Sequence, residues 1–130
     1  MDKAHTGHEA TTEARCPEPG VAEFVLGGEH DLSSSATQLQ DTLGEALTTC
    51  SHLIVDLSSA EFIDSSTIKA LVNARKAASE RDCPFNLVLS TTPIVERVLE
   101  VTGVLEHLNR VHSTAEALQD GRTQGGGDGD

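Results

Sequence analysis

Short apolar runs of β-branched character alternate along the chain with longer stretches in which apolar positions recur every three or four residues. "VAEFVL" (Val21 to Leu26) has the length and composition of a strand. The preceding "CPEPG" (Cys16 to Gly20) reads as a turn, because Pro fixes φ and Gly admits positive φ. A weak first strand over Thr11 to Arg15 would complete a hairpin entering a sheet. Farther on, Ala36, Leu39, Leu43 and Leu47 recur at helical spacing and Ser35 with Gln38 makes a capping-box pair, which predicts an amphipathic helix. Its Gly44 costs about 1 kcal/mol relative to Ala in a helix interior.

"HLIVDLSS" (His52 to Ser59) is a continuous apolar run too short for a helix, and predicts a central strand buried on both faces. The stretch after it, "FIDSSTIKALV", leads into a helix with Ile68, Leu71, Val72 and Ala78 on one side and Lys69, Arg75, Lys76 and Glu80 mostly on the other. "CPFNLVLS" (Cys83 to Ser90) repeats the strand pattern. Thr92, with Pro93 at the first helical position, starts a helix carrying Ile94, Val98 and Leu99 that Gly103 stops. After a short strand at Asn109 to Val111, Ser113 and Glu116 form another capping box and open a last short helix ending near Leu118. This order predicts an α/β fold: one mostly parallel sheet of about five strands with an N-terminal antiparallel strand, about four helices, and right-handed crossovers.

Length and composition sharpen that picture. At 130 residues the chain is one domain long, and with 2% aromatics and no Trp or Tyr its core must be built from Leu, Val, Ile and Ala. Residues 1–11 are small and polar and residues 120–130 are rich in Gly and Asp, so both ends are predicted to be disordered around a folded domain over 12–119. His5 and His8 have no third metal ligand nearby, and no residue pattern asks for a metal, nucleotide or small-molecule cofactor.

The formal net charge is −12, of which −9 falls between the two ends. Phosphate binding rests on clustered Lys and Arg, so nucleic acid and anionic membranes are excluded as partners and a basic protein surface is favoured. No apolar run approaches the ~20 residues that span a bilayer. Cys16, Cys50 and Cys83 have no metal-ligand spacing, and no signal-like segment opens the chain, which predicts reduced thiols in a cytoplasmic protein. Cys50 and Cys83 each precede a strand. They read as small buried hydrophobes, with a redox-sensitive bridge at one sheet edge as the alternative.

Candidate chemistry collects where strands end and helices begin, at Asp31, Asp56 and Asp64, the end of an open α/β sheet at which sites form. Helix capping alone, at about 1 kcal/mol each, accounts for such residues without any site. Ser65 differs, because it falls at a helix N-terminus, where N–H groups and the helix dipole favour added negative charge. A phosphate there would add about −1.5 to −2 charge to an acidic surface and could repel or reshape a partner's footprint. Hydrolase chemistry is not expected: a nucleophilic Ser needs a base, there is no Gly-x-Ser-x-Gly elbow, and His30, the nearest candidate, is a loop residue. His52, His107 and His112 read as ordinary surface residues. Asp56 as a receiver-type phosphoacceptor fails for want of an acidic pair on the preceding strand and a Lys after a late one.

"GGEHDLSSS", "LIVDLSSAEFIDSSTIKALV" and the strand and helix that follow resemble the STAS domain of anti-sigma factor antagonists, over roughly residues 12–119. The combination of Gly-Glu-x-Asp, a strand ending in Asp-Leu, and Ile-Asp-Ser-Ser at these separations is specific, whereas each motif alone is weak. The resemblance implies a non-enzymatic partner-switching protein. Unphosphorylated, it binds an anti-sigma factor that is also a serine kinase and so releases a sigma factor; phosphorylation ends the binding, and a serine phosphatase restores it. It implies Ser65 as the phosphoacceptor, with Ser66 the second choice, and Asp31, Asp64, Ser65, Ser66, Thr67 and Lys69 as the partner-binding surface. Thr67 stands where Gly is usual and is expected to add bulk and a third hydroxyl beside the acceptor. A STAS module without phosphorylation, serving as a scaffold or ligand-sensing part of a larger regulatory assembly, is the alternative.

Overall fold

A chain that lays each new strand beside the last and crosses over by a helix has one way to place those helices. The computed structural model describes residues 11–30, 33–89, 93–102, 110–111 and 113–126. Among them the elements follow the expected order: β1 (Thr11–Arg15), β2 (Val21–His30), α1 (Ser33–Ala46), β3 (His52–Ile63), α2 (Ser65–Glu80), β4 (Phe85–Val88), α3 (Pro93–Thr102), β5 (Arg110–Val111) and α4 (Thr114–Gly126). The strands lie in sequence order, with β1 antiparallel to β2 and the other pairs parallel. Every parallel crossover therefore steps the same way across the sheet, and right-handedness puts α1, α2 and α3 on one face. There Leu39 and Leu43 of α1, Ile68 and Leu71 of α2, and Leu99 of α3 close over Leu26, Leu53, Val55, Phe85 and Leu87. α4 returns across the other face, where Ala117 joins Val21, Ile54, Val88 and Val111.

The central strand is buried on both faces from His52 to Leu57, as its unbroken apolar run requires. It does not stop at Ser59. Its pairing with β4 ends at Asp56↔Val88, while its pairing with β2 runs on to His30↔Ile63 through two register shifts. Asp56 therefore lies within the strand rather than at its end. It is buried, and its Oδ1 accepts the Ser58 N–H at 2.7 Å. Between Val25↔Asp56 and Gly27↔Ser59, β3 carries one residue more than β2, and the Asp56 side chain holds that bulge by a bond to the backbone two residues on. At the second shift Gly28 adopts φ +74°, which a residue without Cβ takes up at little steric cost. Asp56 is thus a shaping residue of the sheet, and the bulges bend the strand ends that lead toward α2.

Other boundaries move for tertiary reasons. β2 extends to His30 because the lengthened β3 lies beside it, and β4 is confined to Phe85–Val88. α1 begins at Ser33, which places Ser35 inside the first turn and not at the cap. α4 runs to Gly126, past the expected end near Leu118. Its start matches the capping box, with the Glu116 N–H donating to Ser113 Oγ at 3.1 Å. Polar anchors help fix α4 to the sheet: Asn86 Nδ2 donates to Asp120 Oδ2 at 2.7 Å, Asn86 Oδ1 meets His52 Nε2 at 2.8 Å, and Thr114 Oγ1 donates to Glu23 Oε2 at 2.5 Å. His52, expected at the surface, is instead buried under this helix. Thr92, Gly103, His107 and His112 lie outside the described residues.

Candidate functional site

One residue, Asp64, separates the end of β3 from the start of α2. Asp64, with extended backbone at φ −105° and ψ −179°, is its N-cap, and its Oδ1 accepts the Thr67 N–H at 2.9 Å. Its carbonyl accepts the Ile68 N–H at 3.0 Å, the first bond of the helix ladder. Ser65, Ser66 and Thr67 are thereby the first three helical residues. The N–H groups of Ser65 and Ser66 have no acceptor within the helix, and the first turn carries no acidic side chain, so this end presents the positive pole of the helix dipole.

The three hydroxyl residues are not equivalent. Ser65 is exposed, Ser66 is half-buried and Thr67 is fully buried at 0% exposure. Thr67 therefore does not add a third hydroxyl to the surface beside Ser65. At the third helical position this β-branched residue faces inward. Lys69 is exposed and four residues after Ser65, on the same helix face. Asp31 and the His30 side chain lie outside the described structure; β2 and β3 end side by side at His30↔Ile63, each one residue before an aspartate in the sequence. Of the expected surface residues, the fold thus brings Asp64, Ser65, Ser66 and Lys69 together at one helix start and turns Thr67 inward.

The family model for the STAS domain matches residues 18–118. The chain belongs to the STAS domain family. Solved structures share this STAS fold. An anti-sigma factor antagonist from Mycobacterium paratuberculosis is 24% identical, with a TM-score of 0.76 over 88% of this chain and 95% of that one. SpoIIAA in its unphosphorylated form is 16% identical, with a TM-score of 0.71 over 86% and 96% of the two chains. The Bacillus cell fate determinant SpoIIAA in its phosphorylated form is 15% identical, with a TM-score of 0.64 over 85% and 98%. No curated protein matches the chain in sequence.

Within the STAS domain the glycine of "GGEHD" has a structural reason, since Gly28 is the left-handed residue at the second register shift. Among the described residues no cluster of His, Cys, Asp and Glu is placed to hold a metal ion, and no helix is long and apolar enough to cross a membrane. Sequence reasoning missed the buried His52–Asn86–Asp120 chain, whose only local signal was a His and an Asn interrupting two otherwise apolar strands. It also left open whether Cys50 and Cys83 meet.

Proposed function

We propose that this STAS domain is a cytoplasmic anti-sigma factor antagonist whose binding to an anti-sigma factor of the serine-kinase type is switched off by phosphorylation at Ser65. The observation that carries this reading is the exposed Ser65 at the first position of α2, immediately after the Asp64 cap and beside a half-buried Ser66. An exposed hydroxyl is open to a kinase, and a phosphate at this position meets the Ser65 and Ser66 N–H groups at the positive helix end, which offset its repulsion by the neighbouring Asp64 carboxylate. Lys69, one turn on, offers a cation on the same face.

The same phosphate adds charge to a chain that already carries −12, and a partner footprint complementary to the unmodified helix start would lose contact with it. The similarity to SpoIIAA, whose structure exists in both unphosphorylated and phosphorylated forms, supports the choice of this mode of control. Asp31, Asp64, Ser66 and Lys69 complete the binding surface in this reading, and a serine phosphatase resets it. Binding of the cognate anti-sigma factor, measured by calorimetry, should survive Ser65→Ala and weaken at least about tenfold, or about 1.4 kcal/mol, in Ser65→Glu. Equal affinity of the two variants overturns the switch, and absence of phosphate on Ser65 after incubation with the cognate kinase and ATP favours the scaffold reading.

A further inference from the structure

At the end of the sheet opposite Ser65, two turns meet. Cys50 lies in the turn between α1 and β3, and Cys83 in the turn between α2 and β4. These turns are tied together: the Leu53 N–H donates to the Pro84 carbonyl at 2.9 Å, and Arg81 Nη1 donates to the Leu47 carbonyl at 3.3 Å. The end of α2 aims Cys83 inward. Asp82 takes a left-handed φ of 55°, its N–H donates to the Ser79 carbonyl at 3.2 Å, and the Cys83 N–H donates to the Ala78 carbonyl at 2.8 Å. This double bond pattern closes the helix and fixes the backbone of Cys83. Its Sγ then lies 3.9 Å from the Cys50 carbonyl oxygen and 3.6 Å from that of Pro84, which sets the two cysteines side by side.

The pair is asymmetric. Cys50 is half-buried and Cys83 is buried, and both are free thiols. The neighbouring Cys83 thiol, backbone N–H groups of His52 and Cys50, and the charge of Arg81 together lower the Cys50 thiol to about 7 against the opposing effect of burial. Cys83 is pushed up, first by the neighbouring Cys50 and then by its own burial. A reachable thiolate beside a thiol that keeps its proton is the arrangement of an attacking and a resolving cysteine.

We propose that Cys50 and Cys83 form a peroxide-oxidised dithiol site that closes to an intramolecular disulfide, with Cys50 as the attacking sulfur and Cys83 as the resolving one. The Cys50 thiolate attacks one oxygen of hydrogen peroxide and the O–O bond breaks. Hydroxide leaves and takes up the proton released by Cys50 as water, leaving Cys50 as its sulfenic acid. The Cys83 sulfur then attacks the Cys50 sulfur, the S–O bond breaks, and the departing hydroxide takes the Cys83 proton. The two thiols lose two electrons and two protons, and the peroxide is reduced to two waters. The bridge closes a loop containing β3 and α2, and so pins the far end of the helix that begins at Ser65.

The test uses the full chain with Cys16→Ser, treated with hydrogen peroxide and read by intact mass and peptide mapping. The expected product is a monomer lighter by two hydrogens, linked between Cys50 and Cys83 and restored by dithiothreitol. In the Cys16→Ser/Cys83→Ser variant, dimedone should trap a sulfenic acid at Cys50 about tenfold faster than it traps Cys83 in Cys16→Ser/Cys50→Ser. Equal trapping rates, disulfides formed only between chains, or two unchanged thiols after peroxide overturn the proposal. The first measurement keeps both cysteines in place, so it stands even if a serine at buried Cys83 disturbs folding.

Discussion

At Asp64 one carboxylate sets the geometry of the whole helix start. By accepting the Thr67 N–H it fixes the first turn, which decides that Ser65 faces solvent and Thr67 faces the core. Replacing Asp64 with Ala should destabilise the domain by about 1 kcal/mol in a urea titration, whereas Asn, which still offers an acceptor oxygen, should retain most of that. Loss of Ser65 recognition in both variants, with stability lost only in Ala, would separate a direct contact by the carboxylate from its capping role. The cysteines titrate at the same scale. With Cys50 lowered from its ordinary 9.0 to about 7, its alkylation by iodoacetamide in the Cys16→Ser chain should reach half of its limiting rate near pH 7, while Cys83 stays unmodified there. The sign for stability follows: a depressed thiol pKa contributes fully above the unfolded value of 9.0 and is lost as pH falls through about 7.

Helix α1 carries an avoidable cost. Gly44 is exposed, and a Cβ built on it meets nothing within 4 Å, so the conformational freedom of Gly serves no packing purpose at this position. Gly44→Ala should raise stability by about 1 kcal/mol, read as a higher urea midpoint with an unchanged slope. Gly28 is the contrast at the level of elements, because its φ of +74° accompanies the register shift between β2 and β3. The two bulges show how the end of an element is redirected. β3 leaves its β4 partner at Asp56, bends along β2, and so carries the chain to the start of α2.

For the whole molecule the asymmetry of the two sheet faces matters most. Three helices pack one face through aliphatic side chains, while α4 holds the other through a small apolar cluster and the Asn86–Asp120 and Glu23–Thr114 bonds. Asn86 is fully buried, so Asp120→Ala strips an acceptor from a buried amide and should cost about 1 to 3 kcal/mol. Faster amide exchange in α4 than in α1 and α2 would place that loss on the α4 face. An undiminished unfolding midpoint would mean that α4 contributes little to the fold. The net charge of −12 acts at this scale too, favouring a basic partner whose association slows as salt is raised.

The periodicity of apolar residues determined the element order, the single α/β sheet and the aliphatic core, because burial on one side of a strand or helix is written into spacings of two and of three to four residues. It also placed the Asp64 cap and put Ser65 at the helix start, since caps and first turns are made by residues adjacent in sequence. Three things needed the tertiary structure. β3 could be seen to outrun its apolar segment only where β2 lay beside it, because a strand end is set by its neighbour's hydrogen bonds. Thr67 was identified as a core residue only once the helix had a sheet to face. Cys50 and Cys83, far apart in the chain, were brought together by two adjacent parallel strands that start at the same end of the sheet, a contact between separated segments that no local pattern encodes.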